Sequence, residues 1–466
     1  MRAPLLRAVL CLASVVSLST VFGPAASQPL DPAATRQVDA VVRRVLQQDR
    51  AASASIAIVR GGQLAYAAAY GRAKLSPVIP ATPQTRYQVA SLSKTLTAEV
   101  LLLLERDGKL SLDDAVARWF PDLSGGDRVT VRQLLQHTAG YPDHYPQTYP
   151  AGPRTRPITP DQIITEWGRH PLLFDPGTRF RYSNLDYVIA GRIAEKVTGE
   201  SLAEILQQRV FTPLGMTATI DLDTVGPNTP AVATGYLRHA LGPSRPAPEE
   251  GRGWSYGAGQ LVTTASDLAR WDAAFLSARL LPPAQMQEQI AAPKLADGSR
   301  SPYALGLFVS KQGGRTMFYH VGQGLGFLAV NRIYPNERTA IVVLTNDSSS
   351  SAFSHIAERL AYLVLPPTPA DSQARAVFTA LQGNTLDRRQ ASGDFNAYFD
   401  AQMARDYADS LGPLGKPDSF ELRSEDQADG LTTRVYDISA RGRRLRMIEQ
   451  LLTDGAIESL QVQAVD

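Results

Sequence analysis

The chain has 466 residues, with 47 lysines and arginines against 45 aspartates and glutamates, and 44% of it is hydrophobic. So even a balance excludes a partner held by massed positive charge, nucleic acid above all, while the length allows two or three domains with cores of their own. A single cysteine and six histidines in no metal-ligand spacing exclude a disulfide framework and point to no metal and no other cofactor.

Residues 1–27 read as a secretory signal: Arg2 and Arg7, a mostly apolar run over 8–22, then the small residues Ala25-Ala26-Ser27. Cys11 follows Leu10, where a lipoprotein signal needs a small residue, so no lipid anchor is expected. The protein is therefore expected in the periplasm or outside the cell, free of disulfides. No later apolar run is long enough to span a bilayer. Over 31–48 the spacing of Val38, Val41, Val42, Val45 and Leu46 predicts a helix, and 53–60 and 63–70 predict two strands joined by a Gly61-Gly62 turn.

The stretch that follows carries the chemistry. From Leu92 to Glu105 the sequence holds no Gly or Pro and is rich in leucine, which predicts a buried helix. Ser91 and Lys94 stand three apart at its start and so share a face. A lysine sunk in apolar surroundings at the positive end of a helix is penalised for its charge, its pKa falls, and the freed amine can take a serine proton. Residues 129–140 then predict a capped helix ending at Gly140, followed over 141–160 by a loop rich in Pro and Tyr and long enough to line a cleft. Phe174-Asp175-Pro176-Gly177 leads to Tyr182-Ser183-Asn184, with Asn184 expected to cap a helix over 185–197. Further helices are expected over 202–210 and 268–276. From Tyr303 the period returns to two, predicting strands over 303–309, 316–320, 327–334 and 339–345 in meander order, then a helix over 353–365.

Pro366-Pro367 opens an expected linker over 366–372, and 373–466 is expected to fold as a small α+β domain, with helices over 374–381 and 395–411 and four strands beyond. It vaguely resembles the cone-shaped fold of the nuclear-transport-factor type. Its arginine cluster (Arg441, Arg443, Arg444, Arg446) lacks interleaved aromatics and reads as a solvated hairpin edge.

Ser91-Leu92-Ser93-Lys94, Tyr182-Ser183-Asn184 and His320-Val321-Gly322, in that order, with His137-Thr138-Ala139-Gly140 and the Phe-x-Pro-Gly run, resemble the serine β-lactamase and penicillin-binding family, class C enzymes and D-alanyl-D-alanine carboxypeptidases most of all. The resemblance covers residues 35 to 365. It implies an α+β fold, an antiparallel sheet flanked by helices plus a helical region, over a catalytic domain taken as 28–365. It makes Ser91 the nucleophile, Lys94 its partner and Tyr182 a sharer in proton transfer, with phenolate form favoured by Lys94. Asn184, His320, Gly322 and Gln323 would bind substrate, with the backbone N–H groups of Ser91 and Gln323 as oxyanion hole. It implies hydrolysis of an ester, a D-peptide or a β-lactam through an acyl-serine, on a small or peptide substrate of cell-wall type. The alternative is a sensor that acylates and stalls, since no Glu-x-x-x-Asn occurs to activate water. His137 carries no chemistry on this reading and is expected to serve structure. The third motif departs from the family's Lys-Thr-Gly or His-Thr-Gly: Val321 brings no hydroxyl and a histidine is mostly neutral at pH 7, so weak handling of free carboxylates is expected.

Overall fold

The central strands are largely apolar because each is buried on both faces. In Ser53–Arg60, Ala54, Ile56 and Ile58 enter one cluster while Ala57 and Val59 enter another. In Thr339–Thr345, Ile341 and Val343 oppose Ala340, Val342 and Leu344 in the same way. The computed structural model describes residues 29–145, 152–225, 229, 231–312 and 314–465; the signal expected over 1–27 lies outside them. Its main sheet has seven antiparallel strands, in the order Val78–Pro80, Gln63–Leu75, Ser53–Arg60, Thr339–Thr345, Phe327–Tyr334, Arg315–Gly324 and Phe308–Gln312. The first hairpin of this sheet is thus paired with the last of its strands in chain order, Thr339–Thr345.

Helices cover both faces. Pro32–Gln48, capped by Asp31, packs with Ala352–Val364 on one side. The other side takes Ala265–Leu276 and the buried helix Ser93–Arg106, behind which Asn184–Thr198 and Leu202–Leu206 form a helical region. Among the described residues no helix is long and apolar enough to cross a membrane.

Several expectations give way to local geometry. The helix expected over 129–140 is only Val131–Leu135, because His137 at φ +55° and Gly140 at φ +92° turn the chain away from it. The strand expected from Tyr303 starts at Phe308; Tyr303 and Leu305 are buried in the loop before it, so their alternation reports burial without a ladder. The helix expected over 395–411 is two, Gly393–Tyr398 and Ala401–Leu411, divided where the Asp400 carboxylate accepts from the N–H groups of Gln402 and Met403. The linker expected over 366–372 is largely consumed: Thr368 caps a helix that runs Pro369–Gln382.

That helix lies on a second antiparallel sheet whose four strands, Ser419–Ala428, Leu431–Ala440, Arg443–Leu451 and Ile457–Ala464, are ordered as in sequence. Their core, around Phe378, Phe399, Tyr436 and Met447, is a third cluster separate from the other two, with Tyr362 of the Ala352–Val364 helix against it. In the arginine cluster, Arg446 donates to Asp437 across the hairpin and Arg441 to the carbonyl of Pro413.

One buried acid ties stability to pH. Asp272, with no exposure, accepts at 2.6 Å from the Asn331 amide, and its second oxygen has no hydrogen-bond partner among the described residues. Burial pushes its carboxyl from 3.8 up to about 8. The unfolded chain releases this proton near pH 4 while the folded protein holds it, so the stability present at low pH is lost as pH rises from about 4 to about 8. Asp272→Asn is expected to flatten the fall of the urea midpoint between pH 5 and pH 9. Buried Glu99 and Asp221, each pushed up to about 7, leave part of that slope in place.

Candidate active site

The nucleophile's position starts with a strained turn. After the short strand Tyr87–Gln88, the Val89 N–H donates to the Leu261 carbonyl at 3.1 Å, and Ala90 then takes φ +44°, a left-handed conformation costly for a residue with a Cβ. Ser91 follows in a single 3₁₀ turn, Ala90–Leu92, so it stands just before the helix rather than within it. The strand Arg315–Gly324 holds this turn from outside. A Cβ on Gly322 would lie 2.0 Å from the Val89 oxygen, so this position needs glycine for the sheet to reach the nucleophile.

Lys94 is fully buried, and burial lowers its pKa to about 7 against the opposing pull of Asp143 and Asp186. Its Nζ has three neighbours: the Asn184 Oδ1 at 2.8 Å, the Ala258 carbonyl at 2.8 Å and the Ser91 Oγ at 3.0 Å. The first two only accept. A neutral amine has two hydrogens and one lone pair, so the two carbonyl oxygens take the hydrogens and the lone pair is left facing the serine hydroxyl. Burial favours the neutral amine, and in that form the two carbonyl acceptors leave its lone pair facing Ser91.

Tyr182 lies beside them, its ring centroid 4.9 Å from Lys94 Nζ and its phenol hydrogen-bonded with Ser91. Burial raises its pKa above that of an ordinary phenol, and this outweighs the Ser91 bond. The phenolate expected from the nearby lysine is thus disfavoured: Tyr182 holds its proton at neutral pH and is placed to donate it. Asn184 is the first residue of its helix, and Ser183 is the N-cap, without a side-chain cap bond. This frees the Asn184 side chain to bridge Lys94 and Asp143, whose carboxylate accepts from its Nδ2 at 3.2 and 3.3 Å and from its backbone N–H at 3.0 Å.

Asp143 escaped the sequence reading. The one signal was its place in the long loop expected to line a cleft. His137 stands nearer the chemistry than expected. Its ring lies 4.2 Å from that of Tyr182, and its Nδ1 is 2.9 Å from Asp186 Oδ2 and 3.3 Å from the Ser183 N–H. Burial drives His137 well down and Asp186 well up, toward a neutral pair in which the acid donates to the imidazole. This pair forms the wall behind Tyr182.

His320 differs from its expected role. It is 2% exposed; its Nδ1 donates to the Val321 carbonyl at 2.8 Å, and its Nε2 therefore accepts from the Tyr303 hydroxyl at 2.9 Å. Burial lowers its pKa to about 3. With both nitrogens engaged, the ring supports Tyr303 and Tyr182 and offers nothing to substrate. Val321 packs against the cluster on the other face of the sheet, beneath Pro32–Gln48 and Ala352–Val364, so its missing hydroxyl is not a property of the cleft. Gln323 is exposed, and Phe308–Gln312 pairs only with 315–319, which among the described residues leaves one edge of 320–324 without a strand partner beside the Ser91 turn. Among the described residues no three His, Cys, Asp or Glu side chains gather as a metal site.

Ser91→Ala is expected to abolish covalent labelling by a fluorophosphonate, and Lys94→Met to slow it by orders of magnitude. Because the neutral amine is the active form, the labelling rate of the wild type is expected to rise roughly tenfold from pH 6 to pH 8 with a midpoint near 7. A flat profile would remove Lys94 as the base.

Comparison with known proteins agrees with this geometry. Residues 38–365 match the family model described as Beta-lactamase. Penicillin-binding protein 4* of Bacillus subtilis (strain 168) is 27% identical over 382 residues, covering 77% of this chain and 84% of that protein. A D-aminopeptidase of Brucella ovis is 29% identical over 342 residues, 72% of this chain but only 64% of its own length. Among solved structures, a D-stereospecific amidohydrolase from Streptomyces sp. aligns with a TM-score of 0.60 at 26% identity, over 71% of this chain and 98% of that one. The octameric penicillin-binding protein homologue from Pyrococcus abyssi shares the fold, with a TM-score of 0.63 at 20% identity over 92% of this chain and 99% of that one. The chain belongs to the β-lactamase family and is a serine hydrolase of that family.

Proposed function

We propose that this protein is an exported hydrolase that opens esters and amides, D-amino-acid amides and short D-peptides foremost, through an acyl-Ser91 intermediate. The observation that carries this reading is the fully buried Lys94 amine, its pKa lowered to about 7, standing 3.0 Å from the Ser91 Oγ. Lys94 takes the Ser91 proton as Oγ bonds to the substrate carbonyl carbon. The oxyanion meets the backbone N–H groups of Ser91 and Gln323; losing one such donor costs roughly 3 kcal/mol elsewhere. Tyr182 gives its proton to the leaving group, and the ammonium of Lys94 restores it. In the second half, water replaces the leaving group and the same pair removes its proton.

Support for the substrate class comes from two sides. The relatives named D-aminopeptidase and D-stereospecific amidohydrolase act, by those names, on D-configured amides. Moreover, the third motif presents no charged group to a substrate carboxylate, since His320 is buried and neutral. A charged hydrogen bond missing from that place weakens carboxylate recognition by about one to two orders of magnitude.

A panel of D-alanine amide, D-Ala-D-Ala and benzylpenicillin tests the assignment. The amide is expected to show the highest kcat/KM, with steady turnover after the first equivalent. A single burst of one equivalent on every substrate would identify a sensor that acylates and stalls, and efficient penicillin hydrolysis would overturn the preference.

A further inference from the structure

Both carbonyl oxygens that hold Lys94 trace back to one arginine outside the reacting groups. Arg154 lies in the 3₁₀ turn Gly152–Thr155 and is 5% exposed. Its Nη2 donates to the His144 carbonyl at 2.8 Å, and its own carbonyl accepts from the Gly251 N–H at 2.7 Å. Its guanidinium carbon stands 3.8 Å from the centroid of the Tyr145 ring and 5.3 Å from that of Trp254. Nη1 is buried with no hydrogen-bond partner among the described residues. A guanidinium is costly to bury, and this one is held in place by two ring faces and a carbonyl.

From Arg154 two short paths lead to the amine. On one side the bonded carbonyl belongs to His144, whose chain neighbour Asp143 accepts from the Asn184 N–H at 3.0 Å and from its Nδ2 at 3.2 and 3.3 Å; Asn184 Oδ1 is one acceptor of Lys94. On the other side, Trp254 leads into a tight turn in which the Ala258 N–H donates to the Ser255 carbonyl at 3.0 Å, and the Ala258 carbonyl is the second acceptor. The two sides are also joined directly: His144 Nε2 donates to the Trp254 carbonyl at 3.0 Å, and the Tyr145 hydroxyl donates to Glu250. A planar guanidinium bonds a carbonyl in its plane while its face lies on a ring; an ammonium has no such face.

We propose that Arg154 is a positioning residue for the reaction: it clamps the segment 143–145 against the segment 250–258 and so holds the Asn184 and Ala258 oxygens where they orient Lys94 toward Ser91. Its effect on the chemistry runs through those two oxygens. The inference rests on the acyl-serine reading above and adds the device that keeps the amine closed in.

The test follows the rate of Ser91 labelling by a fluorophosphonate against pH in the wild type, Arg154→Lys and Arg154→Met. Lysine keeps the charge and loses the fork; methionine loses both. The titratable groups that face Lys94, namely Asp143, Asp186, His137, His320, Tyr182 and Tyr187, are the same in all three proteins. Both variants are expected to label about ten- to a hundredfold more slowly at high pH, because displaced acceptors release the amine from its orientation. The midpoint is expected to rise by about one pH unit in both, since burial is what lowers the pKa of Lys94 and a loosened wall admits water. A residue that served the fold alone would lower the melting temperature or the fraction of protein labelled and leave the midpoint in place, and that result overturns the proposal. So does a shift confined to Arg154→Met, which would report the lost charge alone, and so does failure of both variants to fold; if only the methionine variant fails, Arg154→Lys decides. Variants that match a labelled wild type defeat the role of Arg154 and spare the acyl-serine reading. If the wild type is not labelled at Ser91, or is labelled with a flat pH profile, the acyl-serine reading or Lys94 as its base fails and takes the proposal with it.

Discussion

The site depends on one amine that is sealed from water and hydrogen-bonded to two carbonyl oxygens beside Ser91. An exposed lysine would be an ammonium surrounded by water. Lys94 is sealed from water, which disfavours the ammonium, and it keeps two carbonyl oxygens that hold a neutral amine in a single orientation. A charge-bearing residue in a leucine-rich helix becomes tolerable because the protein removes the charge and satisfies the hydrogens. The same arrangement makes the lysine a base at neutral pH, so burial and reactivity have one cause.

Everything around that amine serves to bring distant segments within hydrogen-bond reach of it. Ala258 comes from the loop before the strand Leu261–Thr263, Asn184 from the head of another helix and Ser91 from a turn that Ala90 enters with a left-handed backbone. The strain at Ala90 is held by the Val89 bond to Leu261 and by the close approach of Gly322. The sheet buried on both faces is the rigid body against which this turn is set, and rigidity of that kind is what a preorganised site requires.

The neutral groups matter as much as the reactive ones. His137 with Asp186, and His320 with Tyr303, are buried pairs whose ionised forms are disfavoured by desolvation. They surround Tyr182 with polar but uncharged contacts and leave its phenol protonated.

Much of this was legible in the residues. The strands Ser53–Arg60, Phe327–Tyr334 and Thr339–Thr345 and the helix Ser93–Arg106 follow from periodicity, because each face's burial is written into neighbouring positions. The pairing of Ser91 with Lys94 follows from helical spacing. By contrast, the acceptors that fix the amine lie 90 and 164 residues away, and the carboxylate that holds Asn184 lies 41 residues away. No local pattern encodes which loop closes on which helix. The charge of His320, the direction in which Val321 points, the proton on Tyr182 and the bond of Asp143 to Asn184 were decided only when chain segments far apart in sequence met. Protonation and hydrogen-bond partnership are properties of the surroundings of a group, and those surroundings exist only in the folded chain.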